Sequence, residues 1–288
     1  MVGKYHNGNQ LRVDFQVHLH RSNYGLDDVL AHMEQIELGA AGILSYPFEN
    51  EINFPLSKAE RYELVRGDRV IKATNKENGR RLYLFLGKEL ESSDGWHLLA
   101  IGTKIKYDTT AKRPLEAYIE EGLANVEILI LDHPYADPER GFADIPKKKE
   151  RQLRRIAEKY GKEIAFEWNG YSKPFVRKWF ASRILRAACS DVNVKLENLA
   201  EEYDLRVIPT SDTHARNKRL LNGIGVSFVT FPVSTLDFSD KTTLNYSIKA
   251  AIKSGFYGTD KHYVSFLHLF EAWWPNIRSK IKEKIVKH

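Results

Sequence analysis

Seven short strand signals, separated by stretches of helical period, restrict this chain more than any other feature. The strand signals fall at residues 13–20, 41–46, 81–90, 126–131, 163–166, 205–209 and 226–231. Between them, apolar residues return every three or four positions, as in Leu26, Val29, Leu30, Met33 and Ile36. Helices are expected over 25–38, 114–123, 147–160, within 175–203 and over 245–253. Pro55 stands where a first helical turn tolerates it and opens a further helix to about Asn75. Asp94-Gly95 is a hairpin signal whose returning arm covers 96–101. Strands alternating with helices imply a parallel sheet, and seven of them imply one that closes into a barrel.

The chain's 288 residues, 42% of them hydrophobic, suit one barrel-sized α/β domain over 1–288 better than two small ones. A C-terminal segment, 262–288, repeats Val264, Leu267, Phe270, Trp274, Ile277, Ile281 and Ile285 near helical spacing and is expected to pack on the barrel as a helix. Cys189 is the single cysteine, so an internal disulfide is excluded and a reducing compartment fits. With no apolar leader and no run of bilayer length, the expected location is the cytoplasm, with no membrane partner.

Reacting groups of a parallel barrel sit at the C-terminal ends of its strands, which share one rim. Read in turn, those ends carry His18 and His20; Tyr46-Pro47; Glu89; His97 on the hairpin's returning arm; Asp132-His133-Pro134; Glu167-Trp168-Asn169; and Ser211-Asp212-Thr213-His214. Side chains two apart on a strand share a face, so His18 and His20 point the same way. Five of the ten histidines thus fall on one rim together with carboxylates. Imidazole with carboxylate suits zinc, manganese or iron, whereas calcium and magnesium take all-oxygen shells. Seven donors exceed the needs of one ion, and two ions sharing Glu89 are the economical arrangement. Such a pair supplies a hydroxide near neutral pH without an activated serine or cysteine.

The order of these motifs resembles the PHP (polymerase and histidinol phosphatase) superfamily. The resemblance rests on His18-Leu19-His20, Gly87-Lys88-Glu89, the 96–102 stretch around His97, His133-Pro134 and Ser211-Asp212-Thr213-His214, and it runs from His18 to about Ala215. It implies a distorted (β/α)7 TIM-like barrel and hydrolysis of phosphate mono- or diesters by attack of a metal-bound hydroxide. It also implies His18, His20, Glu89 and Asp212 around one metal, and Glu89, His97 and His133 around a second. A third metal would need His214, a residue just after the first motif and a histidine at the second strand. This chain offers Asn23 and Tyr46-Pro47 there instead. Two divalent ions are therefore expected, the third site being empty or weak, with His214 left as a ligand or a proton donor. Arg21 and Arg216 follow the first and last motifs and are expected to meet phosphoryl oxygens, with Arg140 on a covering segment.

The expected substrate is a phosphate ester, with nucleotides, oligonucleotides and small-metabolite phosphates all open. An amidohydrolase would use similar histidines, but no candidate stands out for a carbamylated lysine. A barrel that binds nucleic acid without catalysing is the other alternative, suggested by the +6 net charge and a pI near 9.1. The densest basic run, 147–155, is interleaved with acid and lacks stacking aromatics, which favours a solvated helix face.

Overall fold

The structure, a computed structural model, describes residues 9–46, 52, 54–102, 107, 111–125, 127–137, 143–170, 191–239 and 241–263. In chain order the elements are β1 (Gln10–Leu19), α1 (Leu26–Gln35), β2 (Ala40–Ser45), β3 (Tyr62–Arg66), β4 (Val70–Asn75), β5 (Arg81–Glu91), β6 (His97–Ile101) and α2 (Leu115–Ala124). Then come β7 (Ile128–Asp132), β8 (Ala136–Asp137), β9 (Ala143–Asp144), α3 (Lys147–Tyr160), β10 (Ala165–Asn169), α4 (Val192–Tyr203), β11 (Arg206–Thr210) and β12 (Thr213–Ala215). A 3-10 turn (Lys218–Gly223), β13 (Phe228–Pro232), α5 (Lys241–Ser254) and β14 (Gly258–Asp260) follow.

The main sheet runs β11-β10-β7-β6-β5-β2-β1-β13-β14. It comes nearly full circle because β12, two residues beyond β11, pairs in parallel with β1 and sets His18 opposite His214. Seven strands thereby make the wall: β1, β2, β5, β6, β7, β10 and β11 with its continuation.

The wall is parallel except at the hairpin that Asp94-Gly95 predicts, and the expected parallel sheet is corrected at β13, which runs antiparallel to β1. β6 runs antiparallel to both β5 and β7, because the tight Asp94-Gly95 turn returns the chain without a crossover. The reversal has a functional result: the N-terminal end of β6, and with it His97, sits beside the C-terminal ends of β5 and β7. The expected helix over 55–75 is also corrected, since those residues form the β3–β4 hairpin, which continues antiparallel onto β5. β-branched Val65, Val70, Ile71 and Thr74 around a Gly67-Asp68 turn were the strand signal that Pro55 obscured.

Three apolar clusters hold the barrel. The interior takes Leu11, Val13 and Phe15 of β1 together with Phe85, Leu99, Ile130, Ile208 and Phe231 from around the wall. Leu244, Ile248 and Ile252 of α5 pack into the same cluster. Asn245 lies against Gly102, past the end of β6 opposite His97, so α5 closes the barrel away from the histidines. Two outer clusters seat α1 against β1, β2 and β5, and α2, α3 and α4 against β6, β7 and β10.

Along β1 the inward set changes partway. Phe15 belongs to the interior, yet Val17 and Leu19 pack outside with α1. The register against β2 shifts between Asp14 and Val17. One extra residue flips every later side chain to the other face, so His18 points into the barrel.

The basic helix occurs where its pattern places it, and three of its cations are spent on acids. Arg154 meets Glu202 at 2.6 Å, and Arg155 and Lys159 meet Glu116 at 3.0 and 2.7 Å. Pro47, Arg140, Cys189 and the segment 264–288 lie outside the described residues. No described helix is long and apolar enough to cross a membrane.

Candidate metal centre

Two groups of metal-binding side chains converge at the rim. In each, one donor atom per residue lies within 4.8 Å of the others: Glu89, His97, Asp132 and His133 form one, and His18, Asp212 and His214 the other. The wall positions them directly. His97 stands opposite Asp132 in the β6–β7 register, and His18 opposite His214 in the β1–β12 register. His133 and Asp212 sit just past β7 and β11 with φ of 28° and 49°, a left-handed geometry that non-glycine residues adopt at a cost of about 1–3 kcal/mol. These turns lift both side chains out of strand alternation.

Glu89 lies between the groups. Its Oε1 is 2.5 Å from His97 Nδ1, and its Oε2 is 3.4 Å from His18 Nε2. Asp132 Oδ2 lies 3.1 Å from His133 Nε2, and Asp212 Oδ1 lies 3.1 Å from His214 Nε2. Despite this proximity, both ring nitrogens of His18 are buried with no hydrogen-bond partner. Native interiors rarely leave polar atoms so. Donor atoms that crowd one another without pairing are what a shared cation requires, so the residues fit divalent ions.

Electrostatics agree. Burial, and then the charges of Glu89 and Asp212, push the Asp132 carboxyl well above its usual range; burial and then the charge of Asp132 do the same to Glu167. Burial also raises Glu89, but the adjacent His97, with His18 and His133, outweighs it and holds that carboxyl low. Burial lowers His18 to about 4, with the nearby His214 adding to the effect, which keeps its imidazole neutral and its lone pair open to metal. The four buried carboxyls repel one another when ionised, and a cation among them relieves that repulsion.

Supporting side chains hold the donors in place. Glu167 accepts from the backbone N–H of His133 at 2.7 Å and from the Thr210 hydroxyl. Asn169 Nδ2 donates to both oxygens of Glu167 at 3.1 Å and to Asp212 Oδ2 at 2.9 Å. It therefore links the two groups from behind. Asn169→Ala is expected to weaken ion binding roughly 10- to 100-fold, as removal of such outer partners does, measured by competition against a zinc-chelating dye.

Of the residues the sequence places at the site, His18, Glu89, His97, His133, Asp212 and His214 are brought together. His20 is not in either group. Its Nε2 lies 2.6 Å from the Tyr46 hydroxyl, which is also 2.6 Å from His214 Nδ1. Arg216 is half-buried and close enough to His20 to help depress that imidazole, after burial and His214, to about 4. Arg21 is exposed. Sequence reasoning passed over Asp132 as a donor, although its signal was present: an acid at the last position of a strand, directly before His133.

No family model matches the chain, and no curated protein does. Among solved structures, it is similar to the lesion-specific endonuclease PfuEndoQ from Pyrococcus furiosus, with TM-score 0.50 and 15% identity over 87% of this chain. The match covers 57% of that protein, so this chain spans little more than half its length. A two-domain protein from Bacteroides vulgatus containing a predicted PHP-like metal-dependent phosphoesterase matches with TM-score 0.47 and 13% identity, over 94% of this chain and 72% of that one. Endonuclease Q in complex with a 27-mer duplex bearing an abasic lesion matches with TM-score 0.48 and 14% identity, over 86% of this chain and 58% of that one. The fold shared with the Pyrococcus endonuclease is the distorted α/β barrel that the order of the histidine motifs implies.

Proposed function

We propose that this chain is a PHP-type metal-dependent phosphoesterase with a two-ion centre. Glu89, His97, Asp132 and His133 hold one ion; His18, Asp212 and His214 hold the other; Glu89 is shared. One observation carries the reading: Glu89 offers one carboxylate oxygen to each group of histidines. Divalent ions held there polarise phosphoryl oxygens and make bound water acidic enough to ionise near neutral pH.

The chain's own side chains do the rest. The carboxylates and neutral imidazoles set where the ions sit, and Glu167 and Asn169 keep the donors aimed. Arg216, at the rim beside His20, supplies a cation for a phosphoryl oxygen, and Arg21 a second, more exposed one. A phosphodiester of a nucleotide or nucleic acid is the favoured substrate class, by analogy with the endonuclease that shares the fold. The basic helix speaks against a purely electrostatic nucleic-acid binder, since part of its charge is spent on Glu116 and Glu202.

The test is ion content per chain on protein purified without added metal, with hydrolysis of bis-p-nitrophenyl phosphate and p-nitrophenyl phosphate measured alongside. About two ions, with diesterase activity lost on chelation, are expected. One ion or none after reconstitution with zinc, manganese or iron would sink the two-ion reading. Chelation should also lower the melting temperature by at least about 5 °C. An ion held at a hundred times its Kd adds about 2.7 kcal/mol of stability, and a chain of this size shifts roughly 2–4 °C per kcal/mol.

A further inference from the structure

Tyr46 stands where the motif order leaves a gap, at the end of β2. Its hydroxyl lies 2.6 Å from two imidazole nitrogens at once, His20 Nε2 and His214 Nδ1. Its ring stacks on that of His18 at 4.5 Å between centroids, and His214 stacks on His18 at 4.8 Å. The phenol is therefore held in a fixed position by rings that belong to the centre.

A phenol carries one hydrogen and two lone pairs, so it donates to at most one of these imidazoles and accepts from at least one. The two choices differ in what they do to His214. If Tyr46 donates to Nδ1, a neutral His214 carries its hydrogen on Nε2, the nitrogen 3.1 Å from Asp212 Oδ1. That hydrogen satisfies Asp212 and leaves no lone pair for an ion. If His214 Nδ1–H donates to Tyr46, the phenol's own hydrogen can pass onward to His20 Nε2, and His214 Nε2 keeps its lone pair beside Asp212. Only the second arrangement lets all three residues ligate.

Building on the two-ion reading above, we propose that Tyr46 and His20 are positioning residues. They form a hydrogen-bonded chain, His214 Nδ1–H to Tyr46 hydroxyl to His20 Nε2, that locks His214 in its metal-binding tautomer. The same hydroxyl occupies the space between His20 and His214 and engages the nitrogens they turn toward each other, so no third ion is held between them. His20 then serves the centre without touching metal.

The test uses the full chain. Long-range proton–nitrogen NMR on the metal-free protein should show His214 with hydrogen on Nδ1 in the wild type, and a mixture or the Nε2–H form in Tyr46→Phe. Zinc titration by calorimetry, with ions counted by mass spectrometry, should show two ions in the wild type. In Tyr46→Phe one of the two sites should weaken roughly 10- to 100-fold while the other is unchanged. His20→Ala, which breaks the chain from its far end, should weaken the same site and guards against a folding defect in Tyr46→Phe. Tyr46→His replaces the phenol with a lone-pair donor between two others and should admit a third ion. Wild-type zinc affinity and an unchanged His214 tautomer in both Tyr46→Phe and His20→Ala would overturn the proposal, as would a Tyr46→His variant that still binds two. A wild type that binds fewer than two ions overturns the two-ion reading itself, and the positioning role falls with it.

Discussion

Glu89→Gln is expected to reduce phosphoester hydrolysis by roughly a hundred- to a thousandfold, a loss of about 3–4 kcal/mol of transition-state stabilisation. The substitution keeps the side chain's volume and removes its charge. The amide retains a single acceptor oxygen, so it can serve His97's group or His18's group but not both, whereas the carboxylate faces both at 2.5 and 3.4 Å. Ion content should fall from two to one or fewer in the same preparation. Near-equal volume in a well-packed site leaves the fold in place, which circular dichroism checks. Full activity with two bound ions would remove Glu89 from the centre and with it the observation on which the proposed function rests.

Gly42→Ala should damage the protein from a position that carries no chemistry at all. Gly42 lies in β2 where β1 shifts register, and a Cβ built there would overlap the Phe15 carbonyl oxygen and lie 2.8 Å from its carbonyl carbon. Both obstructing atoms are backbone, so no rotamer change relieves the contact. Forcing a methyl into so tight a place costs about 1–3 kcal/mol. The strand can yield most readily by relaxing the shift itself, and that shift is what turns His18 inward. A fall of several degrees in melting temperature is therefore expected together with weaker ion binding, read by thermal denaturation with and without zinc. An alanine variant that melts and binds like the wild type would mean that the shift in β1 does not depend on the close approach of Phe15 to β2.

How far the site could be read from the chain depends on which physical signal each residue leaves. Strand ends were legible because apolar runs stop abruptly at them, so His18, Glu89, His133 and Asp212 stood out without any contact information. The hairpin turn at Asp94-Gly95 was equally local, and it placed His97 on the rim although β6 runs against its neighbours. The stretch 55–75 misled because a proline and many charges fit a helix's first turn and surface as well as they fit an exposed hairpin. What separates the two is the partner strand β5, which lies at residues 81–91.

Periodicity and turn chemistry, properties of near neighbours along the chain, determined by themselves that this protein alternates strands with helices and gathers histidines and acids at strand ends. Three decisions belonged to the tertiary structure. The register shift in β1, which falls where β2 passes close to Phe15 at Gly42, chose which face His18 takes. Closure through β12 put His214 beside His18, a pairing between residues almost two hundred positions apart. The hydroxyl of Tyr46 came to lie between His20 and His214, 2.6 Å from a ring nitrogen of each, a placement that depends on where β2 ends in space and that no spacing within the sequence records.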